Sequence, residues 1–166
     1  MKQLTIIKLV LFSMLMSHSL SGQRTYGTPI NDALPEKLQT LRKAIAVNNF
    51  PKIIDPIKIG NRYYWKHNTA ILCKESEIKI IEYGAYLFYN NTWNLRKSYP
   101  LKELNKNFGT KKEVMKQSQP YTWTNNWRTD SSLFGGWAMW YFIGITKDGE
   151  TVCGYEKIET TNKLLN

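Results

Sequence analysis

Apolar residues recur along this chain with two different periods. Leu34, Leu38, Leu41 and Ile45 fall at i, i+4, i+7 and i+11, one stripe of a helix, while Glu36, Lys37, Arg42 and Lys43 lie off it. Asp32 can cap such a helix, Pro35 suits its first turn, and Asn48-Asn49 with Pro51 stop it. The pattern therefore predicts an N-terminal amphipathic helix over about residues 34–47.

Beyond Pro51 the chain reads as β-rich. Short strands are expected at 52–59, 62–67 and 69–74, broken by Gly60-Asn61 and His67-Asn68, and a longer strand or bent pair at 78–89. Asn90-Asn91-Thr92 turns the chain into a returning strand at 93–99. Pro100 opens a short helix whose Leu101, Leu104 and Phe108 share a face and which Gly109 closes. Thr110-Lys111-Lys112-Glu113 has the capping-box spacing and predicts a second short helix, stopped by Pro120. Residues 137–146 are apolar on both alternating faces, as in a central strand covered on both sides. Asp148-Gly149 favours a two-residue type I′ turn, which would run 151–158 back antiparallel with Cys153 opposite Gly144. The expected fold is a single α+β domain: a mostly antiparallel β-sheet, an N-terminal amphipathic helix and two short helices.

Residues 1–22 have another character. Lys2 and Lys8 precede the apolar run Leu9–Met16, and Ser17-His18-Ser19-Leu20-Ser21-Gly22 forms a small, polar exit, so this segment reads as a signal peptide. Its apolar run falls short of the roughly 20 residues a spanning helix needs, so no stable membrane span is expected after cleavage. The exported domain is then 23–166, periplasmic or secreted. It keeps both cysteines, and in an oxidising compartment Cys73 and Cys153 are expected to pair; closing a loop of that length stabilises by roughly 4 kcal/mol.

Charge and ring content sharpen the functional reading. Removing Lys2 and Lys8 from 23 basic residues leaves 21 against 13 acids, so the exported domain is strongly basic. Seven cations, Arg96, Lys97, Lys102, Lys106, Lys111, Lys112 and Lys116, fall in one stretch against Glu103 and Glu113 and suit an acidic partner. Nucleic acid is not expected, because the chain carries no recognisable DNA- or RNA-binding motif and is exported.

Residues 121–142 hold 8 of the chain's 22 aromatics. The earlier half mixes its rings with Asn125, Asn126, Arg128 and Asp130, too polar for a buried strand. Tyr121, Trp123, Trp127, Arg128 and Asp130 are therefore the candidate partner-binding residues, since Trp, Tyr and Arg are the usual anchors of interfaces.

Catalytic signals are sparse. His67 is the only histidine after residue 22, on the Tyr63-Trp65-His67 face of its strand, and one histidine with two paired cysteines cannot assemble a usual zinc set. There is no G-x-S-x-G, H-E-x-x-H or Gly-rich phosphate loop, and no cofactor is expected. Carboxylate chemistry would fall to Glu75, Glu77, Glu82 or Asp130. The leading expectation is an exported non-catalytic binding protein that docks a macromolecular, acidic partner, as an inhibitor or immunity protein does. A glycan-binding module is the alternative, and a carboxylate enzyme of wall polysaccharide the third reading.

Overall fold

The computed structural model describes residues 33–165, so the expected signal peptide lies outside the described residues. The elements in chain order are α1 (Glu36–Gln39), β1 (Arg42–Lys43), β2 (Ile45–Phe50), β3 (Ile53–Ile54), β4 (Ile57–Ile59), β5 (Arg62–Trp65), β6 (Asn68–Cys73), β7 (Glu77–Tyr89), β8 (Thr92–Ser98), α2 (Leu101–Phe108), β9 (Val114–Lys116), β10 (Pro120–Trp123), β11 (Arg128–Asp130), β12 (Gly136–Thr146) and β13 (Thr151–Thr160). The domain is mostly β-sheet with few short helices.

Seven strands form the main sheet, in the order β1-β13-β12-β7-β8, with β3 on β13 and β9 on β7. The long strands pair antiparallel; the two-residue β1 and β3 pair parallel with β13. As its composition implies, β12 lies between two strands and is covered on both faces. Trp140 and Phe142 point to one cluster, with Ile78, Ile80, Tyr83, Ala85 and Val152, while Met139, Tyr141 and Ile143 point to the other, with Tyr86, Phe88 and Cys153. A bulge in β7 explains its inward residues changing from even to odd, because Ile143 pairs with Glu82 but Gly144 pairs with Ile80, leaving Ile81 over.

Two three-stranded sheets cover the first face. One, β10-β6-β2, contributes Ile45, Val47, Ile71 and Tyr121 and is joined by Leu104 and Phe108 of α2. The other, β11-β5-β4, brings Trp65 against Leu87, Ala138 and Ile158. The second face is covered by a strap, residues 34–41, through Leu34, Leu38 and Leu41.

Four expectations need correction. The N-terminal amphipathic helix over 34–47 is replaced by the four-residue α1 and then by strand. Its stripe divides: Leu38 buries on the second face and Ile45 on the first, because the chain crosses the sheet edge between them alongside β13. The capping-box helix is absent as well. Lys112 and Glu113 adopt positive φ, and the Glu113 carboxylate accepts from the Asn105 side chain of α2, so the acid braces a turn that leads into β9.

The terminal hairpin forms with its register shifted by one. Gly144 faces Val152 and Cys153 faces Ile143, because Thr146 and Glu150 close a three-residue loop with Gly149 at φ 85°. Finally, the disulfide is not formed. Cys73 and Cys153 are both free and buried, Cys73 on the first face with Sγ toward the Glu75 carbonyl, Cys153 on the second with Sγ toward that of Leu41. Burial raises both thiol pKa values, so neither is a ready thiolate.

Candidate functional site

The main sheet, β11 and the β5–β6 and β10–β11 connections enclose a small pocket lined by His67, Arg96, Tyr99, Asn126, Trp127, Arg128, Trp140 and Thr160 over a floor of Ala85, Leu87, Ala138 and Ile158. Its position follows from the loop between β10 and β11. Asn125 takes the left-handed conformation, φ 59°, which Asn tolerates better than most residues, and its N–H donates to Asn68 Oδ1. Asn126 therefore points inward and Trp127 outward. Asn126 Nδ2 donates to Thr69 Oγ1, whose hydroxyl donates to Asn49 Oδ1, and Asn49 Nδ2 reaches the Glu156 carbonyl. This buried polar chain ties the β10–β11 loop and the β10-β6-β2 sheet to the main one.

His67 lies between β5 and β6, buried and facing Trp140 of the main sheet. The Trp140 indole N–H can only donate, so His67 Nε2 accepts at 3.2 Å and its proton stays on Nδ1, 3.3 Å from the Trp65 carbonyl. Burial, with the nearby Arg128 charge adding to it, lowers the His67 pKa to about 4, so the ring is neutral at neutral pH.

Arg128 is only 6% exposed. Its guanidinium lies 4.0 Å from the Phe134 ring centroid and 5.6 Å from that of Trp65, and Nη1 is 3.5 Å from Thr160 Oγ1. Phe134 in turn stacks on Trp65 at 4.6 Å, so both rings under the cation are held in place.

The predicted partner-binding residues separate in the structure. Tyr121 is core, its hydroxyl accepting from the Lys116 N–H. Trp123 is half-buried against Tyr99, Phe108 and Trp140. Asp130 is half-buried and accepts from the Ser132 N–H, a turn role. Trp127 and Arg128 come together at the pocket, one at its rim and one within.

Trp127 is 40% exposed. Lys66 lies 4.1 Å from its ring centroid and Tyr64 meets it edge-on at 6.1 Å. Tyr64 and Lys66 also line a neighbouring groove of about 270 Å³ with Ile53, Ile57, Asp55 and Leu165, so apolar surface and cation continue outward from the tryptophan. Their outward alternation with Tyr63, Trp65 and His67 is legible in the sequence. Arg96, one of the seven-cation stretch, stands at the pocket, and Thr160 had no sequence signal at all.

A second polar cluster lies on the other face. Glu82 accepts from Lys37 Nζ and from the Tyr141 hydroxyl, which is 3.0 Å from Ser98 Oγ. Gly84 makes room for this: a Cβ there would lie 2.3 Å from the Lys97 carbonyl and 2.9 Å from the Tyr141 ring. Burial opposes the charge on Glu82, but the Lys37 and Tyr141 hydrogen bonds outweigh it and hold its pKa below the usual range. Burial, with the Glu82 bond adding to it, pushes Tyr141 up to about 12. The carboxylate is thus an ionised partner for Lys37 and is poorly suited to donating a proton near neutral pH. Lys37, but not Glu82, also lines an open groove of about 610 Å³ between the strap and β8.

No helix among the described residues is long and apolar enough to cross a membrane. Comparison with protein-family models and with curated proteins finds no match for this chain.

Proposed function

We propose that this chain is an exported, non-catalytic binding protein that docks an acidic macromolecular partner through the surface around Trp127, as an inhibitor or immunity protein would. The observation that carries the reading is Trp127 itself. A large ring held exposed, braced by Lys66 and Tyr64 beside an apolar groove, has the make-up of an interface anchor. Its surroundings supply the sign of the partner. Lys66 lies over its ring, Arg96 shares the lining of the pocket behind it, and no carboxylate lines that pocket.

The seven cations of the 96–116 stretch are all exposed, and none takes part in the four ion pairs found among the described residues. They add a long-range field that steers the same kind of partner.

The test is capture by the exported domain, 23–166, from envelope and secreted fractions of its source cells, with wild type and Trp127→Ala run side by side. The expected result is one stoichiometric acidic protein retained by wild type and lost from the variant. Equal retention by both proteins, or recovery of polysaccharide alone, would overturn the reading, and the latter would favour a glycan-binding module.

A further inference from the structure

The chemistry of the pocket behind Trp127 narrows what the partner inserts there. We infer that it receives the carboxylate of an aspartate or glutamate side chain, clamped between Arg96 at the mouth and Arg128 within. This inference rests on the docking reading above, and it adds the group that is recognised.

Size is the first argument. The pocket offers about 30 Å³ to contents the size of water, where one water needs on the order of 10–15 Å³, so it suits a group of two or three small atoms and excludes a ring. Donor chemistry is the second. Two guanidiniums contribute to the lining, which contains no aspartate or glutamate, while the Thr160 hydroxyl already donates to the Gly136 carbonyl and the Asn126 amide to Thr69. His67, neutral and already engaged by Trp140 and Trp65, adds no charge of its own.

Preorganisation is the third argument. The Arg128 guanidinium is held over the Phe134 ring before any ligand arrives, and a planar fork matches a planar carboxylate. The last is access. Trp127 and Arg96 are both exposed and both line the pocket, so a side chain seated there brings its own backbone against the Trp127 surface.

The test needs no partner. Sodium formate is titrated into the ¹⁵N-labelled exported domain against sodium chloride at constant ionic strength, following the Trp127 and Trp140 indole N–H signals. The expected result is a saturable shift with formate alone, with a Kd of about 1 mM or weaker, the ceiling for three heavy atoms. Arg96→Glu, an exposed change, should weaken it about tenfold or more through like-charge repulsion. Lys147→Glu, in the β12–β13 loop, should leave it within about twofold.

A linear drift shared by both salts, or saturation indifferent to Arg96→Glu, would overturn the inference. Two blocked probes then separate the sources of a carboxylate. Tighter binding of N-acetylaspartate methylamide supports a side chain, and tighter binding of N-acetylalanine overturns that assignment in favour of a chain terminus. Failure of formate to bind while Trp127→Ala still abolishes capture would remove the pocket inference alone. Formate binding with capture indifferent to Trp127 would remove the docking reading instead.

Discussion

At the scale of single residues, the proton on His67 links the core to solution pH. Its folded pKa of about 4 lies below the ordinary 6.5, so the folded state prefers the neutral ring and the unfolded chain takes up the proton first. The neutral ring's contribution is complete above pH 6.5, is lost as pH falls toward 4, and then levels off. The shift corresponds to about 3 kcal/mol. Denaturant unfolding at pH 7 and pH 4 should show wild type losing about that much more than His67→Gln, which can still accept from Trp140; equal losses would refute the assignment.

Gly84 makes the opposite point, that an absent side chain can be as specific as a present one. Gly84→Ala places a methyl group against backbone oxygen and the Tyr141 ring, so thermal or chemical unfolding should report a loss of about 1–3 kcal/mol. An unchanged midpoint would show that Tyr141 can yield there at no cost.

At the scale of elements, the strap poses the question of what holds it. The Lys37–Glu82 pair is obvious in the structure, but each side chain is 36% exposed, and exposed pairs contribute no more than about 1 kcal/mol. Leu38 is fully buried against Met139 and Tyr141, where truncation costs about 2–5 kcal/mol. Leu38→Ala should therefore destabilise far more than Lys37→Ala in equilibrium unfolding; the reverse order would make the ion pair the fastening.

The same strap shows why some elements were legible and this one was not. Helix α2 declared itself through Pro100, a one-sided apolar face and Gly109, all local signals that the structure honours. Strand β12 likewise carried its two-sided burial in its composition. Leu34, Leu38 and Leu41 mimic a helical stripe, yet Ile45 and Val47 already alternate as strand, and only the crossing of a sheet edge separates the two groups. Tertiary pairing with β13 overrode the local period. The hairpin failed more narrowly: Asp148-Gly149 marks the turn, but not whether two or three residues make the loop, and that choice moves Cys153 by one register position. With it went any sequence basis for placing the two cysteines on opposite faces.

At the scale of the whole molecule, the site is assembled from four distant parts of the chain: His67, Arg96, the loop at 126–128 and Thr160. Of the residues that the sequence proposed for binding, Trp127 and Arg128 share this pocket, and rings beside polar residues are what made that stretch locally visible. Sequence reasoning grouped Tyr121, Trp123 and Asp130 with them because neighbours in sequence were read as neighbours on a surface. Strand alternation instead buries Tyr121 against the main sheet, while the β10–β11 loop turns Trp127 to the outside. Thr160 joins only through the topology that lays β13 beside β12.

In the docking proposed above, the excess of exposed lysine and arginine is the part that acts on encounter, and Trp127 is the part that acts on the docked complex. The most direct measurement is a titration of the captured partner into wild type and Trp127→Ala at low and high salt. The account predicts that the variant binds more weakly by about 2 kcal/mol or more, roughly 30-fold, at both salt concentrations, while added salt slows association of both proteins alike. Equal affinity for wild type and a folded Trp127→Ala would contradict it.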